Sequence, residues 1–192
     1  MLPLILASSS PARRELLNRL GLAYRCVSPD IDETPLLNEK PQELALRLAQ
    51  SKVYAIGACY PDSLVIGSDQ VAVLDNEIMG KPGFRANAVQ QLQRASGKEM
   101  LFFTAVCLLN TKTSALQREL VPYSVIFRQL DEQKIDNYVR REEPYGCAGA
   151  FKSEGLGIAL FTRMQGDDPT ALIGLPLIAL IQMLENEGAT VL

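Results

Sequence analysis

A carboxylate in the middle of a mostly apolar stretch is the first residue of this sequence that points to chemistry. Asp69 lies within LVIGSDQVAVL, residues 64–74, whose length and β-branched content predict a strand buried on both faces. A carboxylate taken out of water costs free energy unless it is paired, hydrogen-bonded or bound to a metal. Asp69 is therefore the first candidate for a catalytic residue. The alternative is a strand that ends early, with Asp69 solvated in a turn.

Serine and arginine residues near the N-terminus form a candidate phosphate site. Ser8 and Ser10 lie between a predicted strand, residues 2–7, and a helical pattern over residues 12–20. Ser10 is placed to cap that helix, whose first backbone N–H groups would face an anion, and Arg13 can grip a phosphate with two hydrogen bonds. A well-capped surface helix with a solvated Arg13 is the alternative.

Three further charged residues suit a site that handles phosphate and a metal ion. Glu33, in the acidic loop DETP, is a suitable ligand for a hard cation or for water, although an ordinary solvated loop has the same composition. Lys52 falls within the apolar stripe of a helix predicted from Pro41 to about Ala58, where it either points into a cleft or bends back to solvent. Lys81 lies in the turn GKPG, placed for a triphosphate or simply exposed.

A glycine-rich stretch suggests that the backbone approaches a ligand closely. Residues 146–157 contain four glycines in twelve positions, with Phe151, Lys152 and Glu154 as the side chains able to recognise a ligand. A surface loop is the alternative interpretation of this composition.

The amino-acid composition narrows the possible chemistry and partners. The 192-residue chain has no histidine, which excludes Ser-His-Asp and Cys-His catalysis and the usual zinc sites. Its four cysteines lack metal-binding spacing and are expected to be buried free thiols in a reducing cytoplasm. A net charge of −3 argues against nucleic acid as the main partner. No apolar segment reaches the roughly 20 residues of a membrane span, so no membrane partner is expected.

The order of the predicted elements indicates an α/β fold with a mixed sheet. Strands and helices alternate, and two long strands, residues 100–109 and 120–127, are expected to form an antiparallel pair. Further helices are predicted over residues 85–95 and 131–140. No repeat or linker divides the sequence, so residues 1–192 are expected to form a single domain, which can have two lobes around a cleft.

Seven motifs in order give the sequence a resemblance to a known family. They are SSSPARRELL, DETP, the helix carrying Lys52, IGSDQV, GKP, CAGAFKSEGLG and DDPTALIGLPL. From one end to the other the chain resembles the Maf family of nucleoside triphosphate pyrophosphatases, and more narrowly the subgroup that acts on 7-methyl-GTP. The pyrimidine-nucleotide subgroup typically has arginine, threonine and glutamine where this chain has Ala12, Gln70 and Glu154. The methylguanosine subgroup usually carries a residue larger than alanine at position 12, so this chain departs from the pattern there.

The resemblance implies a fold, a reaction and a set of roles. The fold is a central mixed, strongly twisted β-sheet flanked by helices, with a deep nucleotide-binding cleft (Maf/inosine-triphosphatase-like). The reaction is hydrolysis of the α–β phosphoanhydride of 7-methyl-GTP by a cytoplasmic homodimer that uses a divalent cation. Asp69 is implied to be the proton acceptor, and Ala12, Gln70 and Glu154 to be specificity positions. The alternatives are a pyrophosphatase for other modified or ordinary nucleotides such as dTTP or UTP, and a nucleotide-binding regulator of cell division.

Elementary chemistry is consistent with these roles. Asp69 can accept a proton from water, and Glu33, alone or with Asp69, can hold Mg²⁺ or Mn²⁺. Five residues can neutralise or bind the phosphates, namely Ser8, Ser10, Arg13, Lys52 and Lys81. Glu154 can accept the N1–H and 2-amino groups of guanine, and its charge attracts the cationic ring of 7-methylguanine, on which Phe151 can stack.

The position of Gln70 beside Asp69 sets a geometrical condition. Neighbouring side chains of a regular strand point to opposite faces, so both can reach one cleft only if the strand bulges or ends there. We therefore expect an irregularity at residues 68–70.

Overall fold

The computed structural model describes residues 2–192, which form a mixed α/β fold. The strands are β1 (Leu4–Ala7), β2 (Tyr24–Val27), β3 (Leu64–Leu74), β4 (Glu77–Met79), β5 (Glu99–Asn110), β6 (Ala115–Phe127) and β7 (Phe161–Gln165). The α-helices are α1 (Pro11–Asn18), α2 (Pro41–Gly57), α3 (Arg85–Ala95), α4 (Glu132–Glu142), α5 (Pro169–Ile173) and α6 (Leu177–Asn186).

The seven strands form one mixed sheet, which confirms the predicted fold class. The strand order is β2-β1-β3-β5-β6-β7, and β4 pairs with β3 outside this path. The pairs β1–β2 and β1–β3 are parallel, whereas β3–β4 and β6–β7 are antiparallel. Parallel neighbours need crossover connections, and α1 and α2 supply them between β1, β2 and β3.

The chain divides into two compact units. Unit 1 contains the residues up to Gln70 together with Thr104–Val121 and Asp168–Leu192, and unit 2 contains Val71–Phe103 and Pro122–Asp167. The core of unit 1 packs Leu16 and Leu17 of α1 and Leu180 of α6 against Leu6 and Ile66 of the sheet. The predicted single domain and nucleotide-binding cleft are not tested by this division and stay predictions.

Two expectations from composition concern cysteine and membrane segments. All four cysteines are free, and Cys107 is buried, where desolvation raises the pKa of its thiol to about 12. Cys59 is exposed and Cys26 and Cys147 are partly exposed, so the expectation of four buried thiols is correct for Cys107 alone. Within residues 2–192, none of the helices combines the length and apolar character needed to cross a membrane.

Candidate active site

The ammonium group of Lys52 joins the two carboxylates that the sequence singled out. Its Nζ lies 2.5 Å from Asp69 Oδ1 and 2.8 Å from Glu33 Oε1. The side chains of Lys52 and Asp69 are 7% and 12% exposed, whereas that of Glu33 is 50% exposed. Lys52 therefore does not bend back to solvent, and Asp69 is a paired strand residue instead of a solvated turn residue.

Close packing of α2 on β3 brings Lys52 to Asp69. A Cβ atom at Gly67 would lie 2.6 Å from the carbonyl oxygen of Ala49 and 2.7 Å from Val53 Cγ1, so this strand position has room for hydrogen alone. Gly67 and Asp69 are two residues apart and share one face of β3. The helix face that packs on Gly67 therefore also presents Lys52 to Asp69.

The strand β3 changes partner where its polar residues lie. It pairs with β1 as far as Ile66 and with β4 from Ala72 onward, yet it runs without a break from Leu64 to Leu74. Asp69 contacts α2, whereas Ser68 and Gln70 contact α5 and the turn after it. Asp69 thus contacts a different element from Ser68 and Gln70, and the pairing of β3 with β1 ends at Ile66, before all three residues. The irregularity expected at residues 68–70 stays a prediction.

The amide nitrogen of Gln70 is hydrogen-bonded to groups within unit 1. It donates to Thr104 Oγ1 at 3.0 Å and to the carbonyl oxygens of Ala171 and Leu172, each at 2.9 Å. The amide oxygen is then the end of the side chain left to meet a ligand. The specificity role of Gln70 stays a prediction.

The two serines before α1 keep hydroxyl protons available. Ser8 Oγ accepts the backbone N–H of Ser10 at 3.1 Å, and Ser10 Oγ accepts that of Arg13 at 3.4 Å as the cap of α1. Each hydroxyl uses its oxygen in these bonds and can still donate its proton to an anion. Leu6 pairs with Ile66, so Ser8 follows the carboxyl end of β1 at the level where β3 reaches Ser68.

The guanidinium group of Arg13 lies in the field of the carboxylate pair. Its Nε donates to the carbonyl oxygen of Gly174 at 2.7 Å. Burial lowers the pKa of Arg13, and the charges of Asp69 and Glu33 act in the opposite direction. Arginine stays protonated in proteins, so Arg13 is a fixed positive charge here. Ala12, the adjoining predicted specificity position, is partly exposed on α1.

The loop that carries Glu33 is tied to α2 by Arg47. Its guanidinium pairs with Glu39, with Nε 2.6 Å from Oε1, and donates to the carbonyl oxygen of Thr34 at 3.0 Å. The Thr34 N–H in turn donates to Asp32 Oδ1 at 2.9 Å. The backbone that follows Glu33 is therefore held at both the N–H and the carbonyl group of Thr34, which limits where the Glu33 carboxylate can go.

Replacing Arg47 with methionine should change how stability responds to acid. The hydrogen bond from Arg47 lowers the pKa of Glu39 from 4.5 to about 2. A carboxyl with a depressed pKa stabilises the fold fully above its unfolded pKa and loses that contribution as the pH falls toward its folded value. We therefore expect the free energy of unfolding of Arg47→Met to fall less steeply between pH 4.5 and 2 than that of the wild type. Urea unfolding at several pH values measures this.

The matched control is Arg118→Met, since Arg118 is an exposed arginine whose guanidinium contacts the Gln50 amide instead of a carboxylate. That variant should keep the acid dependence of the wild type. Parallel profiles for Arg47→Met and the wild type would contradict the assignment.

Lys81 and Glu154 belong to unit 2 and are both exposed. Burial raises the pKa of the Cys147 thiol, Glu154 raises it further, and Lys152 and Lys81 lower it. Lys81 and Glu154 therefore lie within electrostatic reach of one group in this unit.

Side-chain amides of α3 fix the turn that carries Lys81. Asn87 Nδ2 donates to the carbonyl oxygen of Pro82 at 2.9 Å, and Gln91 Nε2 donates to that of Gly80 at 3.0 Å. Both neighbours of Lys81 are thus held, while its own side chain stays exposed. The backbone of this turn is therefore held in place, and the ammonium group of Lys81 lies in solvent.

Phe151 does not have the role expected of it. The residue is 4% exposed, and its ring makes edge-on contacts with Phe102, Phe127 and Phe161 at centroid distances of 5.4, 5.8 and 4.8 Å. It is a core residue of unit 2, so the predicted stacking on a cationic base is wrong.

The glycine-rich stretch is anchored by Glu142. Lys152 Nζ donates to the carbonyl oxygen of Glu142 at 2.5 Å, and the Leu156 N–H donates to Glu142 Oε1 at 2.9 Å. Tyr138 Oη accepts the Lys152 N–H at 3.0 Å. Glu154 lies between these anchored positions with an exposed side chain.

The donor set at Lys52 fits a hard divalent cation held by two carboxylates. Among residues 2–192, no cluster of three or more cysteine, aspartate or glutamate side chains is arranged to hold a metal ion. Asp69 and Glu33 nevertheless converge on one positive group. Mg²⁺ is commonly held by one or two carboxylates, with water and substrate phosphates completing its shell. These two residues fit that pattern.

The sequence analysis missed the polar groups behind the site. Thr104, Thr170 and the carbonyl group of Gly174 contact predicted site residues or hold those contacts in place. The motif DDPTALIGLPL marked the segment, but no pattern in it shows which distant side chains its carbonyl groups contact. Such contacts depend on the tertiary fold.

Comparison with known proteins places this chain in a family. Residues 3–187 match the family described as Maf-like protein. A relative from Nitrosococcus oceani named 7-methyl-GTP pyrophosphatase is 57% identical over 189 residues, which cover 98% of this chain and 95% of the relative. The solved structure of the Staphylococcus aureus Ham1 protein is similar in fold, with a TM-score of 0.53 and 14% identity over 96% of this chain and 99% of that one. The chain belongs to the Maf family.

Proposed function

We propose that this protein hydrolyses the α–β phosphoanhydride bond of 7-methyl-GTP and releases 7-methyl-GMP and pyrophosphate. The relative named 7-methyl-GTP pyrophosphatase, 57% identical over nearly the whole chain, supports this substrate. The observation that carries the chemistry is the buried Lys52–Asp69 pair, with Glu33 on the same ammonium group. A carboxylate and a cation together on β3, just beyond its parallel pairing with β1, suit hydrolysis of a charged substrate.

Asp69 is proposed to be the proton acceptor. Lys52 holds its Oδ1, so the second carboxylate oxygen can take the proton of a water molecule. The water oxygen forms a new bond to the α-phosphorus. The bond between the α-phosphorus and the oxygen that bridges it to the β-phosphorus breaks, and pyrophosphate leaves with that electron pair. Lys52 keeps the carboxylate oriented during this step.

The negative charge of the triphosphate is proposed to be met by five residues: Ser8, Ser10, Arg13, Lys52 and Lys81. The free hydroxyl protons before α1 and the fixed charge of Arg13 support the first three. Glu33 and Asp69 are proposed to hold a divalent cation, Mg²⁺ or Mn²⁺, which when bound supplies further neutralisation of phosphate charge.

Recognition of the base is proposed to rest on Glu154, with Gln70 and Ala12 as the other specificity positions. An ionised carboxylate can accept both N1–H and the 2-amino group of guanine, and it attracts the positive charge that N7 methylation gives the ring. The exposed position of Glu154 on an anchored loop supports the assignment. We also propose a homodimer that acts in the cytoplasm, without nucleic acid or membrane partners, and removes modified nucleotides from the pool.

Pyrophosphate release from 7-methyl-GTP, GTP, UTP and dTTP with Mg²⁺ tests the proposal directly. We expect a strong preference for the methylated nucleotide in the wild type. In Glu154→Gln the preference should fall by roughly tenfold or more, since the amide loses the charge and one acceptor. Glu132→Gln, an exposed substitution of the same type in unit 2, is the control and should retain the preference.

Different outcomes revise different parts of the proposal. Equal turnover of all four nucleotides, unaltered by Glu154→Gln, would contradict the proposed preference for 7-methyl-GTP. The proposed pyrophosphatase reaction would still stand. No release from any nucleotide would contradict the reaction itself and favour a nucleotide-binding regulator.

A further inference from the structure

Three carbonyl groups at the end of α5 accept hydrogen bonds from polar residues of the candidate active site. These carbonyl groups, which we call the carbonyl frame, belong to Ala171, Leu172 and Gly174. The donors are Gln70 Nε2, Thr104 Oγ1, Ser68 Oγ and Arg13 Nε, at distances of 2.7 to 2.9 Å. All of these residues belong to unit 1. The carbonyl frame therefore accepts hydrogen bonds from both β3 and α1.

Gly174 is the member of the carbonyl frame that binds Arg13. Its carbonyl oxygen accepts from Arg13 Nε at 2.7 Å and from Ser68 Oγ at 2.8 Å. Its φ of +122° is a conformation that favours glycine. A Cβ there would lie 3.5 Å from Arg13 Nε, an ordinary contact, so the backbone conformation and not space requires glycine.

Thr170 holds the turn that presents Gly174. Its carbonyl oxygen accepts the N–H groups of Gly174 at 3.1 Å and Leu175 at 3.3 Å. Its hydroxyl accepts the N–H of Leu177 at 2.8 Å and donates to Asp168 Oδ1 at 2.5 Å. The bonds to Gly174 and Leu175 come from the backbone carbonyl group, which any residue at this position would supply. The side chain itself contributes the bonds to Leu177 and Asp168, which hold the segment that follows Gly174.

Asp168 completes this arrangement from a buried position. Its Oδ1 accepts the Thr170 N–H at 2.8 Å, and its Oδ2 accepts the Ile178 N–H at 2.9 Å. The side chain therefore caps α5 and binds the first turn of α6. The positions of the two helix ends that flank Gly174 depend on each other through Asp168 and Thr170.

The bond to Gly174 decides which edge of Arg13 faces outward. Because Nε donates to a carbonyl group, this bond restrains the plane of the guanidinium, and its two terminal nitrogens remain for an anion. Two parallel hydrogen bonds to a phosphate need that plane to be held in one orientation. A rotation of the Gly174 carbonyl would move the terminal nitrogens.

We propose that Thr170 is a positioning residue for Arg13, acting with Asp168 through the carbonyl group of Gly174. This inference rests on the proposed function, because it takes Arg13 as a phosphate-binding residue. Thr170 does not touch the substrate. It orients the guanidinium group of Arg13, which does contact the substrate.

Binding of inorganic pyrophosphate, measured by calorimetry, tests the inference without hydrolysis. Thr170→Val keeps the shape of the side chain and removes the hydroxyl, and we expect it to weaken pyrophosphate binding by roughly tenfold. Thr170→Ser keeps the hydroxyl and should bind within about twofold of the wild type. Circular dichroism and the melting temperature establish that each protein is folded at the assay temperature. Gly174→Ala tests the same carbonyl if Thr170→Val does not fold.

A double-mutant cycle with Arg13→Met separates positioning from a general structural effect. If Thr170 acts through Arg13, Thr170→Val should have almost no effect on pyrophosphate binding in the Arg13→Met background. An equal loss in both backgrounds, no loss in either, or a wild type that does not bind pyrophosphate would overturn the inference. Turnover of 7-methyl-GTP is measured separately, and its absence with pyrophosphate binding intact would count against the proposed function alone.

Discussion

Asp69→Asn should lower the rate of pyrophosphate release from 7-methyl-GTP by about 100-fold to 10,000-fold, the range that general base catalysis contributes. An amide has nearly the shape of the carboxylate but cannot accept a proton from water. The hydrogen bond to Lys52 can be retained by the amide oxygen, so the variant should remain folded. Steady-state assays and thermal unfolding of the same preparations measure both expectations.

The control for this substitution is Asp75→Asn. Asp75 also pairs with a lysine, Lys98, but both side chains are about half exposed, at 51% and 46%. Its loss should leave turnover unchanged and alter the free energy of unfolding by less than about 1 kcal/mol. Turnover by Asp69→Asn at the wild-type rate would contradict the role of base. If the protein also has an effect on cell division, that effect should disappear with turnover for an enzyme and persist for a regulator.

Lys52→Met should cause the largest loss of stability among the substitutions considered. The ammonium group is buried between Asp69 and Glu33, and its removal leaves one buried and one half-exposed carboxylate without their shared cation. Removing one member of a buried ion pair costs about 3–5 kcal/mol, and the exposure of Glu33 places the expected loss toward the lower value. Denaturant unfolding measures it, and pyrophosphate release should fall because the phosphates also lose a cation.

A divalent cation should partly compensate for the missing ammonium group. We expect Mg²⁺ or Mn²⁺ to raise the melting temperature of Lys52→Met more than that of the wild type, because two carboxylates without a lysine attract the metal more strongly. Lys98→Met, which breaks the exposed pair with Asp75, is the control and should show the wild-type response. An equal rise in all three proteins would contradict a cation site at Asp69 and Glu33.

Helix boundaries were predicted well where caps and periodicity agree. The prediction of α3 over residues 85–95 is confirmed, and α2 begins at Pro41 as expected and ends at Gly57, one residue early. Asp131 is the cap of α4 instead of its first residue. These boundaries depend on residues close in sequence, which is the information that a local pattern contains.

Two strands were missed because their local signals are weak. β4, Glu77–Met79, has three residues, which are too few to show a periodic pattern. β7, Phe161–Gln165, contains threonine, arginine and glutamine, so it lacks an apolar run. Each strand exists because a longer neighbour offers backbone hydrogen bonds to it, and that neighbour is distant in sequence for β7.

The candidate site was predicted in its residue types but not in its pairings. Periodicity placed Lys52 in an apolar stripe and left its direction open, because the partner on β3 is distant in sequence. The composition of the glycine-rich stretch suggested a ligand contact for Phe151, yet three phenylalanines from other segments surround its ring. Residue type limits what a side chain can do, whereas tertiary packing decides what it meets.

Close packing at Gly67 restricts how this sequence can diverge. A larger residue there would collide with the carbonyl oxygen of Ala49, and no side-chain substitution on α2 removes that backbone oxygen. The helix would have to move outward and take Lys52 away from Asp69. A related sequence that keeps the lysine–carboxylate pair therefore needs glycine at position 67. A sequence without the pair does not have this requirement. The glycine therefore keeps Lys52 beside Asp69, although it takes no part in the chemistry.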